Sequence, residues 1–193
     1  MRYSAEQKQE ARARIVQAAG RAFRRAGYSG VGVDGLAKEA GVTSGAFYGH
    51  FRSKDAAFKE ISRLGLEQLH DAIADLQKMH GAQWVAPFID LYLGELRECD
   101  LGESCALQSL ATDIMRADHA TKSQFELGLQ KVVALVSSGI ALSDPALQKE
   151  RAIALLALLS GGVTMARSVN DAKSASLIAD HVRSAALHLC DLD

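Results

Sequence analysis

Apolar residues recur along this chain at the spacing of one helical face. Val33, Leu36, Ala37 and Ala40 fall at i, i+3, i+4 and i+7, and Gly41 follows at once. That pattern predicts a short helix over 33–40, stopped by a glycine in the left-handed conformation. A second short helix is expected from Ser44 to His50, with Val42, Ala46, Phe47 and Phe51 turned inward. Two short helices around a glycine turn, here spanning about 33–52, make a helix-turn-helix. The second helix of such a motif is built to enter the major groove of DNA.

The same periodicity predicts helices along the rest of the chain. Ile15, Ala18, Ala19, Ala22, Phe23 and Ala26 form the core stripe of a first helix over about 5–25, ended by Gly27. Phe58, Ile61, Leu64 or Gly65, Leu69, Ile73 and Leu76 mark a long helix over 54–80, ended by Gly81. Further helices are expected at 83–98, 103–117, 121–142, 145–169 and 174–189. Pro145 sits in the first turn of its helix, where a missing N–H costs nothing.

The candidate groove helix carries small residues at its start, Ser44, Gly45 and Ala46. They would let its N-terminus approach base edges. Thr43, Tyr48 and His50 can donate to phosphate oxygens. Lys54 follows Ser53, a good N-cap, so the next helix offers amide donors and one cation to a phosphate. Gly30, Gly32 and Gly35 also spell G-x-G-x-x-G, with Asp55 about 20 residues on. A dinucleotide site requires a preceding β-strand, and the segment here is an amphipathic helix. The glycines fit a tight turn better, with Gly32 as N-cap of the helix that follows.

AGVTSGAFYGHFRSKDAAF resembles the recognition helix and following turn of the TetR/AcrR family of bacterial transcriptional regulators. ARARIVQAAGRAFRRAGYSGVGVDGLAKEA is similar to that family's first two helices. The resemblance covers roughly residues 10–60, and departs from the family pattern at Gly32, where Thr or Ser is usual. It implies an all-α homodimer: a three-helix DNA-binding domain at 1–55 and a helical ligand-binding and dimerisation domain at 56–193. The partners implied are a palindromic double-stranded DNA operator and a small-molecule effector. In that family the helix beginning at Lys54 links head to body and sets the spacing of the two heads.

Charge agrees with this division. Residues 1–55 hold 10 Lys/Arg against 5 Asp/Glu, and residues 56–193 hold 12 against 18. A basic first quarter on an acidic remainder points the polyanion contact to the N-terminal part. At 48% hydrophobic the chain can bury a sizeable core. The longest uncharged stretch, between Arg151 and Arg167, is 15 residues and contains Ser160, Gly161, Gly162 and Thr164. That is short of the roughly 20 residues a membrane span needs. The polar N-terminus does not read as a secretory signal, so the expected location is the cytoplasm.

Ile153, Leu156, Ala157, Ser160 and Thr164 form one stripe of the helix at 145–169, and Leu155, Leu158, Leu159 and Val163 extend it round. A helix apolar nearly all round must be covered on both sides. With Leu177, Ile178, His181, Ala185 and His188 on the last helix, it is the expected dimer interface, and Gly161-Gly162 would admit a partner helix closely.

No catalytic constellation and no metal site emerge. The histidines lack the i, i+4 spacing of a helical metal site, and Asp71 and Asp75 sit on a polar face. No cofactor is expected. Cys99, Cys105 and Cys190 make no C-x-x-C pair. Trp84, Phe88, Tyr92, Met115 and Phe125 could line an effector cavity or simply pack the core. Cys105, expected near a helix start, is either a sensing thiol or a buried structural cysteine. Some electrophile-sensing members of the resembling family carry a cysteine in a comparable place after a glycine.

The reading reached is a ligand-responsive DNA-binding regulator, a repressor released by a small molecule or electrophile. The rival is a small helical enzyme or carrier using the C-terminal pocket, which would need convergent catalytic groups.

Overall fold

The computed structural model describes residues 5–190, with side chains from Lys8 onward. The polar stretch at residues 1–4 lies outside the described residues. Every regular element among them is helical. In order these are α1 (Ala5–Gly30), α2 (Val33–Glu39), α3 (Ser44–Tyr48), α4 (Lys54–His80), α5 (Val85–Leu93), α6 (Glu95–Glu98), α7 (Ala106–Ser109), α8 (Ala111–Ile114), α9 (His119–Gly139), α10 (Pro145–Arg167) and α11 (Ala172–Leu189). No described helix is long and apolar enough to cross a membrane.

Packing groups the chain into two units: the segment through Gly65 with Asp100–Phe125, and Leu66–Cys99 with the segment from Glu126 onward. This cut differs from the functional division expected at residue 55, because Asp100–Phe125 packs with the head.

In the first unit Ile15, Ala18, Ala19 and Phe23 of α1 are buried, as their spacing predicts. Ala26, expected in that stripe, is exposed, because Gly27 adopts φ 72°, ψ 171° and turns the chain before the stripe is complete. Leu36, Phe47, Phe51, Phe58 and Ile61 close this core. Gly65 of α4 lies so close to Ala106 that a Cβ there would overlap the alanine methyl. The expected continuous helix at 103–117 is instead the single turns α7 and α8, preceded by a 3₁₀ turn at Leu101–Glu103.

In the second unit Trp84, the N-cap of α5, forms a ladder with Phe88 and Tyr92 of that helix, with successive ring centroids 5.6 Å apart. Its helix is shorter than the expected 83–98, because the chain breaks at Gly94, with φ −96° and ψ −97°. Val132, Val136, Leu155, Leu159 and Val163 complete the core. α10 starts at Asp144, whose carboxylate accepts from the Ala146 amide at 2.9 Å ahead of Pro145. Asp171 caps α11 through the Ser174 amide at 2.9 Å.

The paired glycines of α10 separate in role. Gly162 faces Val182 of α11, where a Cβ would stand 2.7 Å from a valine methyl, whereas nothing lies within 4 Å of one at Gly161. Leu156, expected in an outward stripe, is 4% exposed and belongs to the chain's own core. The outward face is Ile153, Ala157, Gly161, Thr164 and Met165, with Leu177, His181 and Ala185 exposed on α11.

Candidate nucleic-acid interface

The turn between α2 and α3 has the expected glycine stop. Gly41 takes φ 65°, its amide donates to the Lys38 carbonyl at 3.0 Å, and the Val42 amide donates to the Ala37 carbonyl at 2.9 Å. This pair of bonds is a Schellman motif. It reverses the chain within four residues and seats Leu36, Ala37 and Phe47 together in the core. α2 starts at Gly32, in an extended conformation with no side chain to cap it. The glycine triplet at 30–35 is thus the end of one helix and the start of the next, with no strand before it.

α3 starts at Thr43, whose hydroxyl accepts from the Ala46 amide at 3.2 Å. Thr43, Gly45, Ala46 and Tyr48 are exposed, and Ser44 and His50 are half-buried. Ala46, also expected inward, points outward, because Phe47 and Phe51 fill the inner face of so short a helix. His50 lies beyond the last turn of α3, whose C-cap is Gly49. Thr43's hydroxyl is engaged as a cap, and the Ser44 hydroxyl donates to the Asp34 carboxylate of α2. Asp34 had no signal in the sequence beyond its charge. Arg52, exposed in the α3–α4 loop, is a second cation beside Lys54 that spacing alone did not single out.

Lys54 begins α4, capped by Ser53, whose hydroxyl accepts from the Ala56 amide at 3.1 Å. Its ammonium lies 4.1 Å from the centre of the Tyr28 ring. Next to it, Asp55 accepts a hydrogen bond from the Tyr28 hydroxyl. That bond, then burial and the Asp55 charge, push the Tyr28 phenol up to about 12.

Arg21 and Arg25 of α1 are ion-paired in the structure. Arg25 spans Glu39 at 3.2 Å and Asp100 at 2.9 Å, and Arg21 approaches Glu39 at 3.5 Å and Glu103 at 3.9 Å. They tie α1 to α2 and to the 3₁₀ turn.

A cavity of about 170 Å³ lies against Tyr28, Asp55, Phe58, Asp113, Arg116 and Thr121. Its carboxylates already serve the chain. Asp55 meets the Tyr28 hydroxyl, and Asp113 accepts the Tyr28 amide at 2.8 Å. Asp118 caps α9 through Thr121, whose hydroxyl and amide hold that carboxyl below its usual range.

The residues expected to line an effector cavity divide between the two units. Trp84, Phe88 and Tyr92 are buried in the second unit, where the Trp84 indole donates to the Gly139 carbonyl at 2.9 Å. Phe125 is buried in the first unit. Met115, the C-cap of α8, is 64% exposed. Cys105 is half-buried at the N-cap of α7, and its thiol does not cap that helix. Four residues of helix supply too few aligned amides to act on a thiol as a long helix would. No group of three or more metal-ligating side chains gathers among the described residues.

Known proteins resemble the chain in the same region. Residues 15–61 match the family model of bacterial regulatory proteins, tetR family. The HTH-type transcriptional regulator TtgR of Pseudomonas putida is 39% identical over 71 residues, 37% of this chain and 32% of that protein. AcrR of Shigella flexneri is 41% identical over 63 residues, 33% of this chain and 29% of that one. The matched stretch thus spans about a third of these relatives' length. In fold the likeness runs further. A TetR-family transcriptional regulator from Agrobacterium tumefaciens superposes with a TM-score of 0.76 over 92% of this chain and 98% of its own, at 18% identity. Residues 15–61 thus carry the helix-turn-helix match to the tetR family of bacterial regulatory proteins, and the remaining helices share the fold of a TetR-family regulator.

Proposed function

We propose that this protein is a ligand-responsive transcriptional regulator of the cytoplasm, a homodimer that represses from a palindromic operator. One observation carries the reading: the glycine turn at Gly41 presents the small, exposed N-terminus of α3 beside Tyr48, Arg52 and Lys54. Ser44, Gly45 and Ala46 allow close approach to base edges, Thr43, Tyr48 and His50 offer donors, and Lys54 neutralises a phosphate. The dimer joins through the exposed faces of α10 and α11, since a palindrome needs two heads. The functional division remains a DNA-binding head at 1–55 and a ligand-binding and dimerisation body at 56–193.

Release is by a small molecule or an electrophile. An apolar or mixed molecule suits the Trp84–Phe88–Tyr92 ladder, which it has to part in order to enter. Cys105 is the thiol favoured for an electrophile, because its neighbour Ala106 packs on Gly65 of α4.

The test is an anisotropy titration of the protein's own upstream promoter DNA at several salt concentrations. Specific binding that weakens as salt rises is expected, and Lys54→Ala should lower the salt slope by about one unit for every sequence. Salt-independent or absent binding overturns the reading. Treatment of wild type and Cys105→Ser with a thiol-specific electrophile tests the switch. Equal loss of DNA binding in both moves the reactive site to Cys99 or Cys190, and no loss in either returns the effector to a reversible ligand.

A further inference from the structure

The sequence sets a cation and an anion side by side at the start of α4, Lys54 and Asp55. For a helix N-terminus facing a phosphate the two work against each other, since the lysine attracts the phosphate and the carboxylate repels it. Lysine also has a long, flexible stem, and ordering it on contact costs rotamer freedom.

Tyr28 touches both groups. Its ring is fixed from several sides. Phe23 stacks parallel to it at 6.2 Å, and Phe58 meets it edge-on at 5.1 Å. Its amide donates to the Asp113 carboxylate at 2.8 Å, directly after the left-handed turn at Gly27. A ring held in this way cannot swing to follow a side chain. The Lys54 ammonium is therefore drawn to a fixed place, 4.1 Å from the ring centre, and the Asp55 carboxylate to the fixed hydroxyl.

We propose that Tyr28 is the positioning residue for the Lys54 phosphate contact, its ring holding the ammonium and its hydroxyl holding the neighbouring carboxylate. This rests on the DNA-binding reading above. Tyr28 need not touch DNA. It narrows where the lysine can be before the phosphate arrives, and it gives Asp55 a donor within the protein.

The test uses the full-length protein and an arbitrary-sequence DNA duplex at low salt. Tyr28 is replaced by Phe, and then by phenylalanines carrying one to four ring fluorines, which weaken the attraction of the ring face with little change of size. Each is made with Lys54 present and in the Lys54→Ala background. An exposed cation–π contact corresponds to about a two- to five-fold effect. Affinity should fall by about that much across the fluorine series when Lys54 is present, and stay flat in the Lys54→Ala background. The Tyr28→Phe loss should be recovered by adding Asp55→Asn, and that recovery should exceed the gain from Asp55→Asn alone. An equal decline in both backgrounds, or no decline with Lys54 present, overturns the inference while leaving DNA binding intact. A wild type that does not bind the duplex overturns both. Melting temperatures within a degree or two across the series exclude a folding effect as the cause.

Discussion

Ser44 and Asp34 are joined across the turn of the helix-turn-helix, the serine hydroxyl donating to the aspartate carboxylate. The acid on the supporting helix takes the one O–H of Ser44, so the serine oxygen is oriented to meet DNA as an acceptor. Asp34→Asn keeps an acceptor for Ser44 and removes a negative charge from the face offered to a polyanion. Arbitrary duplexes should bind a few-fold more tightly, with operator discrimination retained. Asp34→Ala should bind arbitrary duplexes more tightly too but lose discrimination, because Ser44 is then free to rotate. Competition titrations with operator and scrambled DNA read both quantities.

The two glycines of α10 give opposite predictions. Gly162→Ala drives a methyl into Val182 of the same chain, an overpacking that costs about 1–3 kcal/mol of stability. Gly161→Ala meets nothing in the chain and should gain up to about 1 kcal/mol of helix propensity in a monomer. If a partner helix packs there, the same change weakens the dimer. Denaturation at two protein concentrations, with sedimentation to follow assembly, separates the two effects.

Assembly itself is best probed at exposed positions. Ile153 is 50% and Leu177 58% exposed in the single chain. Ile153→Lys or Leu177→Glu should leave each chain folded and shift the protein to monomer. Leu156→Lys would instead bury a charge inside the chain and unfold it. A stable wild-type monomer at micromolar concentration would remove the proposed interface.

The Tyr28 phenol makes a pH prediction. Its pKa is raised in the folded protein to about 12, above the ordinary tyrosine value of 10.0. The stabilisation it reports is fully present below pH about 10 and is lost as pH rises through 12. Ultraviolet titration should show Tyr28 ionising late, and Tyr28→Phe should remove that step.

Gly65→Ala tests the seat of the 100–125 segment. The added methyl collides with Ala106, which has no flexible end to yield. A loss of about 1–3 kcal/mol in denaturant unfolding is expected. Cys105 should become more reactive to a thiol reagent as its neighbour is displaced.

The sequence by itself determined the helices with strong periodicity and clear punctuation. α4 runs over the expected 54–80, and α2 and α3 flank the expected glycine stop, because heptad-like spacing and a left-handed glycine are local properties. Asp144-Pro145 announced the start of α10 for the same reason. What tertiary structure decided was direction and partnership. Whether Leu156 or Ile153 faces inward depends on where α11 lies, and a helix apolar all round carries no periodic signal to say so. The ion pairs of Arg21 and Arg25 exist only because the fold brings Glu39, Asp100 and Glu103 to them. The 103–117 stretch broke into single turns against α4, where packing outweighed a weak local helical preference. Tyr28, a residue with no motif around it, gained its place from Phe23, Phe58 and Asp113, side chains 5, 30 and 85 positions away in the chain. Pairings at such separations depend on loop closure and core packing, and no local pattern encodes them.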